Sequence, residues 1–303
     1  MNPASKQLQD SVRTRITGTG SAFPETRLTN DQLAQKVETS DAWIRERTGI
    51  GERRISTPGK ESERNSGLAV QAAMRALEMA GKKPEDIDLI LCATCTPDTL
   101  IPSTACWIQK SLGAKKAWAM DLNGACSGFV YALHTANQFL KAGTSKCVLV
   151  VGSDVLSAFT NWDDRGSCIL FGDGAGAAIL EPAQEADGSE VFAVELGSDG
   201  NLWDYFHVEA GGSNQPSTPE LLAARADKMK MKGPEMFKVA VRTLTDSARS
   251  VVERSGLTLD EVTWVLPHQA NLRIIEAVAK RLNLPMSRVL TNIDKFGNTS
   301  SAT

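Results

Sequence analysis

The stretch DLNGACSGFVYALHTANQFLKAG, residues 121–143, decides how this chain reads. It begins at the end of an apolar strand, AWAMDL (117–122), and turns through Asn123, Gly124 and Ala125. Cys126 then stands where a helical pattern starts and runs to Gly143. A strand that hands its carboxyl end to a helix N-terminus is the repeating unit of α/β proteins. Here it sets a thiol beside unpaired backbone N–H groups, at the positive end of a helix dipole. That position is expected to favour the thiolate, the nucleophilic form of cysteine. The competing reading is a small core residue flanked by Ala and Gly.

Outward from this unit, strands and helices alternate. Upstream the pattern predicts a strand near Arg15 with a Gly-rich turn at Gly18-Thr19-Gly20. A helix over Thr29–Val37 capped by Asn30 follows, then a helix over Asn65–Met79 stopped by Gly81. A buried strand over Ile87–Ala93 and a helix over Ser103–Leu112 complete that side. Downstream come a buried strand at Cys147–Val151 and a Gly-rich apolar stretch over Cys168–Leu180. The rhythm repeats more loosely after that. Strands are expected at Val191–Leu196, Val262–Leu266 and Val289–Asn292, a long amphipathic helix at Pro234–Ser255, and another helix at Asn271–Leu282. The expectation is an α/β chain of two related halves, 13–183 and 184–303, after a disordered lead, 1–12.

The chain has 303 residues, 42% of them hydrophobic, which is enough for a sizeable core, and its net charge of −3 lacks the basic excess of a nucleic-acid binder. No apolar run approaches the roughly 18 residues that span a bilayer. The N-terminus, MNPASKQLQDS, has no apolar signal region, and six cysteines without an export signal point to a reducing cytosol. The expected location is cytoplasmic, with neither nucleic acid nor membrane as a partner.

A thiol nucleophile needs help from neighbours, and there are only three histidines. His134 lies two turns along the same helix, about 12 Å from Cys126, and cannot reach it. His207, in WDYFHVEA, has no catalytic-looking neighbours. His268 follows WVLP at a strand end and precedes a helix, the place where α/β sheets form ligand crevices. Asn298, in GNTSSA, is a third candidate, although Asn beside Gly is commonly a turn residue. Cys92 and Cys95 form a CxxC with no second pair for zinc and read as core. GDGAGA (172–177) precedes a strand rather than a helix and reads as tight packing, not a dinucleotide site. Arg273, Lys280 and Arg281 share one helix face, and Lys238 with Arg242 another. Together they could form a cationic ring near His268, suited to an anionic partner.

DLNGACSGF (121–129), PHQANLRI (267–274) and GNTSSA (297–302) resemble the Cys, His and Asn motifs of β-ketoacyl-acyl carrier protein synthase III. TSDAWI (39–44), RTGI (47–50), DRG (164–166) and FGDGAGAA (171–178) match in order as well, so the resemblance covers about residues 13 to 303. It implies a thiolase-like fold of two similar βα halves in a layered α-β-α-β-α arrangement, normally a homodimer. It also implies an enzyme that joins an acyl-CoA primer to malonyl-acyl carrier protein, using the CoA thioester as substrate and no cofactor or metal. By the same resemblance Cys126 accepts the acyl group, with His268 and Asn298 as partners in decarboxylative condensation. Trp43 and Arg165 match positions that sandwich the adenine of CoA. Thr39, Arg47, Gly233, Phe237 and Asn271 match others along the CoA tunnel. Lys238, Arg273, Lys280 and Arg281 match the carrier-protein patch, and Ile101 an acyl-pocket position that reaches across the dimer.

The residue types suit that chemistry. A cysteine thiolate is both a strong nucleophile and a good leaving group. The enolate left by loss of CO₂ needs donors, which an imidazole Nε2–H and an amide NH₂ can supply. The family also carries a closing segment beyond the Asn motif, with a Gly-rich turn that supplies one oxyanion N–H. The expectation is therefore that the natural gene continues past Thr303, and that residues 1–303 alone are poorly soluble and nearly inactive. Three rival readings are a thiol hydrolase of the Cys…His…Asn type, a thiolase-fold acyltransferase acting without decarboxylation, and an inactive CoA-binding chain.

Overall fold

The structure, a computed structural model, describes residues 12–184 and 188–303. The expected lead, 1–12, lies outside the described residues except for Val12.

The strands are β1 (Arg13–Ala22), β2 (Arg27–Thr29), β3 (Glu52–Arg54), β4 (Leu89–Ala93), β5 (Trp118–Leu122), β6 (Val148–Asp154) and β7 (Gly174–Ala183). Two shorter strands, Phe206–Val208 and Met229–Met231, pair with each other. The central sheet runs β1-β7-β6-β4-β5. In it β4 is parallel to both β5 and β6, and β7 is antiparallel to β6 and β1.

Every residue of β4 and β6 is buried, as a strand covered on both faces requires. Their side chains alternate between two cores. Ile90, Cys92, Leu149 and Val151 join the core beneath the helices Asn65–Ala80 and Thr104–Leu112. Leu89, Leu91, Val148 and Val150 face Ala132, Ala136 and Leu140 of the helix Gly128–Lys141. This is the layered α/β architecture that the strand–helix rhythm implies. A separate core joins the helices Gly233–Arg254 and Leu272–Arg281 through Val241, Ile274, Ile275 and Val278.

Several local expectations are corrected. Gly18 and Gly20 are not a turn: both lie within β1, where the register slips between Ile16 and Gly18. They are glycine because the Asn65–Ala80 helix presses on them. A Cβ at Gly20 would stand 2.2 Å from the Ala72 carbonyl oxygen. The helix expected over 29–37 is Asn30–Ala34, and its cap is Thr29 rather than Asn30. Thr29 and Gln32 form a reciprocal capping box. Asn30 is buried instead, donating to Asp41 and to the Ile50 carbonyl and accepting from Arg53.

The strands expected at 191–196, 262–266 and 289–292 do not form ladders. Among the described residues their strand-like pairing is limited to the bond from Val191 N–H to the Thr14 carbonyl and one isolated parallel bridge, Val265 with Val289. Phe192, Leu196, Trp264 and Leu266 are exposed. Their apolar patterns lack a ladder of paired neighbours, on which strand formation depends.

The close approach of helix to sheet yields a prediction. Gly20→Ala should lower unfolding stability by about 1–3 kcal/mol, the range for overpacking a tight contact. Urea denaturation measures it, and an unchanged midpoint would contradict the packing described.

Candidate active site

The chain passes from β5 into a tight turn, Ala125–Ser127, and then directly into the Gly128–Lys141 helix. Cys126 sits in that turn, just before the helix proper. Ala125 adopts a left-handed φ of 44°, a conformation that non-glycine residues hold only under constraint. The strand–turn–helix expectation is met, with the thiol one turn ahead of the α-helical hydrogen bonding.

The expected bias toward the thiolate is opposed by burial. Burial pushes the Cys126 thiol up to about 11, with Ser300 acting in the opposite direction and the Asp154 charge adding to the rise. Desolvation of the anion is the largest effect, greater than the donors that favour it. Cys126 is a thiol at neutral pH in this arrangement.

Asn298 is buried and held on both sides by backbone bonds. Its N–H donates to the Leu170 carbonyl, and its carbonyl accepts from Gly172 N–H. Its Oδ1 accepts from Ser300 N–H at 2.9 Å, so the amide NH₂ is the end left to meet a ligand. The turn beyond, Ser300–Ala302, lies directly on the end of β6. A Cβ at Gly152 would come 2.1 Å from the Ser301 carbonyl oxygen, so only glycine lets the two segments touch.

Asp154, wholly buried at the last position of β6, ties this corner together. One carboxylate oxygen accepts from Thr94 Oγ1, Cys95 N–H and Thr96 Oγ1 at 2.9–3.0 Å. The other accepts from Ser301 N–H at 3.3 Å and Ser301 Oγ at 2.8 Å. Cys95 is therefore not plain core. It lies past the end of β4, half-buried, and its thiol is pushed up by burial and by Asp154.

His268 reaches the same corner. Its Nδ1 is 2.9 Å from Thr303 Oγ1, and that hydroxyl donates its one proton to the Ser300 carbonyl. Toward the ring Thr303 is thus an acceptor, which puts the imidazole proton on Nδ1 and the lone pair on Nε2. An Nε2–H donor requires the other tautomer, with the Thr303 hydroxyl turned to donate to Nδ1. Burial pushes the ring down to about 4, so it is neutral near pH 7. Gln269 fixes the turn, accepting from Asn292 N–H and donating to the Pro267 carbonyl. The segments of Cys126, Asn298 and His268 therefore converge on residues 300–303. His134 and His207 stand outside this convergence, the latter edge-on to Trp203.

A second cluster forms where the resemblance expects CoA. Arg47 and Arg165 both stack on Trp43, each 4.8 Å from its ring centroid. Arg165 also donates to the Glu38 carbonyl, beside Thr39, whose hydroxyl is buried without a hydrogen-bond partner. Asn271 caps the Leu272–Arg281 helix and donates to the Arg47 carbonyl. A planar ring between two faces needs about 7 Å, twice a van der Waals contact. Arg165 must therefore withdraw before it and Trp43 can sandwich an adenine. Gly233 opens the Gly233–Arg254 helix, and Phe237 packs against the core that helix shares with its neighbour.

Lys238, Arg273, Lys280 and Arg281 are all exposed, and none makes an ion pair among the described residues. Ile101 is 89% exposed on a loop beside Leu100.

The 3-oxoacyl-[acyl-carrier-protein] synthase III family matches residues 120–200, and the C-terminal part of that family matches residues 252–303. A β-ketoacyl-[acyl-carrier-protein] synthase III of Roseiflexus castenholzii is 49% identical over 95% of this chain and 86% of its own length. One from Symbiobacterium thermophilum is 47% identical over the same shares. The crystal structure of the Aquifex aeolicus synthase III superposes with a TM-score of 0.86 at 45% identity, covering 95% of this chain and 87% of its own. This chain belongs to the β-ketoacyl-acyl carrier protein synthase III family. Its fold is accordingly the thiolase-like fold of the synthases III.

The sequence reading missed Asp154, Ser300, Ser301 and Thr303 as organisers of this synthase III site. A carboxylate ending the buried strand VLVVGSD was the available signal for Asp154, since buried charges are kept only with partners. The serines stood inside GNTSSA, hidden beside the Asn.

The thiol's high pKa yields a prediction. Alkylation of Cys126 by iodoacetamide, followed on its own peptide by mass spectrometry, should accelerate about tenfold per pH unit between pH 7 and 10, tracking the thiolate fraction. A rate already flat at pH 7 would mean that the helix end prevails over burial.

Proposed function

We infer that this enzyme catalyses decarboxylative condensation of a short acyl-CoA primer with malonyl-acyl carrier protein, the step that starts fatty-acid synthesis. The observation that carries the reading is the meeting of Cys126, Asn298 and His268 on the Ser300–Thr303 turn. Near-half identity to the synthases III over almost the whole chain supports it.

In the first half-reaction the Cys126 sulfur attacks the thioester carbonyl, the carbon–sulfur bond to CoA breaks, and the thiol proton ends on the departing CoA sulfur. In the second, malonyl loses CO₂ and leaves an enolate. Its oxygen is met by the NH₂ of Asn298 and, in the Nε2–H tautomer, by His268. The enolate carbon attacks the acyl carbon, and Cys126 leaves as a thiolate that takes up one proton. The thioester substrates supply all the chemistry, and no cofactor enters.

Substrate handling follows from the two outer clusters. Trp43 and Arg165 take the adenine of CoA after Arg165 moves aside, and Thr39, Arg47, Gly233, Phe237 and Asn271 line the way inward. Lys238, Arg273, Lys280 and Arg281 meet the acidic carrier protein, an attraction that weakens with salt. The enzyme works as a homodimer in the cytoplasm, with Ile101 of each protomer bordering the other's acyl pocket, and its chain divides into halves at about residue 184. No helix among the described residues is long and apolar enough to cross a membrane.

Malonyl-acyl carrier protein labelled in its free carboxyl tests the reading. With acetyl-CoA the enzyme should release labelled CO₂ and form 3-oxobutyryl-acyl carrier protein. His268→Ala and Asn298→Ala should each lower CO₂ release by about 100- to 1,000-fold, the usual loss for one oxyanion donor. They should affect acylation of Cys126 much less. Free acetate as the main product would make it a hydrolase, and CO₂ release at the parental rate in both variants would remove their assigned roles.

A further inference from the structure

Ser300 is held in an unusual way. Its φ is 54°, left-handed for a non-glycine residue, like that of Ala125 beside the nucleophile. Such constraint persists only where surrounding contacts over-determine it, and it gathers at functional sites. Both backbone groups are committed. The N–H donates to Asn298 Oδ1, and the carbonyl accepts from Thr303 Oγ1. The side chain is 3% exposed, yet its hydroxyl makes no hydrogen bond of ordinary geometry. A buried hydroxyl without a partner is costly, so its orientation calls for an acceptor.

The turn that carries Ser300 packs against the turn that carries Cys126. The hydroxyl lies near enough to the thiols of Cys126 and Cys95 to act on both. Burial raises both, and Ser300 acts against that rise at each. The other charged group facing them is Asp154, whose carboxylate is already filled by Thr94, Thr96, Cys95 N–H and Ser301 and which disfavours a second negative charge. Ser300 is thus a neutral side-chain donor placed where burial and a like charge both oppose a thiolate.

We propose that Ser300 is a positioning residue for the nucleophile: its hydroxyl donates to the Cys126 sulfur as negative charge develops there, while its N–H holds the Asn298 amide toward the substrate. One side chain and its own backbone thereby serve both half-reactions. The hydroxyl acts when Cys126 attacks the primer and again when the thiolate is expelled from the condensed product. This rests on Cys126 being the nucleophile, but its test does not.

The test is the pH profile of Cys126 alkylation by iodoacetamide, read on the Cys126 peptide, in the parent, Ser300→Ala and Ser300→Gly. Removing a hydrogen bond to an anion should shift the profile upward by about one pH unit, so alkylation at pH 8 falls about tenfold. The two variants separate chemistry from packing. Ala keeps the left-handed constraint, whereas Gly relieves it and folds at least as well. Both should show the same upward shift, with thermal unfolding recorded alongside. Neither variant shifting would overturn the proposal, as would a shift in Gly alone, which would trace to the relaxed backbone rather than to the lost hydroxyl. Acyl transfer by the parent does not enter the readout, so a failed function assay and a failed Ser300 role remain distinguishable.

Discussion

The whole site hangs on one buried carboxylate. Asp154 ends a strand with no exposed residue, and it holds the segment after β4 with one oxygen and the segment after Asn298 with the other. A lone charge in such a place would be prohibitively costly, and this one is kept by donors filling both oxygens. The bond to Ser301 spans 147 positions in the chain. It brings the Asn298 segment onto the central sheet, and Gly152 removes the Cβ that would block the approach. Where that turn lands decides where Asn298 and Ser300 stand, and through Thr303 the ring of His268.

The same carboxylate sets a limit on the nucleophile. Its charge and the surrounding burial both oppose a Cys126 thiolate, while the helix end and Ser300 favour one. A thiol that ionises only as it reacts is protected from solvent electrophiles at rest, and the donors around it carry the charge when the thiolate forms or leaves. The neutral His268 ring fits such a site, since an imidazolium there would attract and fix the malonyl carboxylate that has to leave.

Much of this was legible in the amino-acid order where the physics is local. The strand, small-residue turn and helix around Cys126 depend on neighbours a few residues apart, as do the stop at Gly81 and the start of the helix after Asn271. Thr29 rather than Asn30 capped its helix because a buried arginine, Arg53, claimed the asparagine from 23 positions away. The apolar runs at 191–196, 262–266 and 289–292 carry the alternation of strands, but a strand is made by its partners, and these found one bridge and one bond. Asp154 and Ser300 were missed for a related reason: Asp154's partners lie 58 to 147 positions away, and the Cys126 turn that Ser300 packs against is just as remote in sequence.

The most direct measurement locates the acyl group. The purified enzyme is incubated with acetyl-CoA in the absence of malonyl-acyl carrier protein, digested at low pH to preserve thioesters, and its peptides sequenced by tandem mass spectrometry. The account predicts one acetyl group, a 42 Da addition, on the peptide carrying Cys126, discharged when malonyl-acyl carrier protein is added. An acetyl group on Cys95, Ser300 or any other residue, or an adduct on Cys126 that malonyl-acyl carrier protein leaves in place, would contradict it.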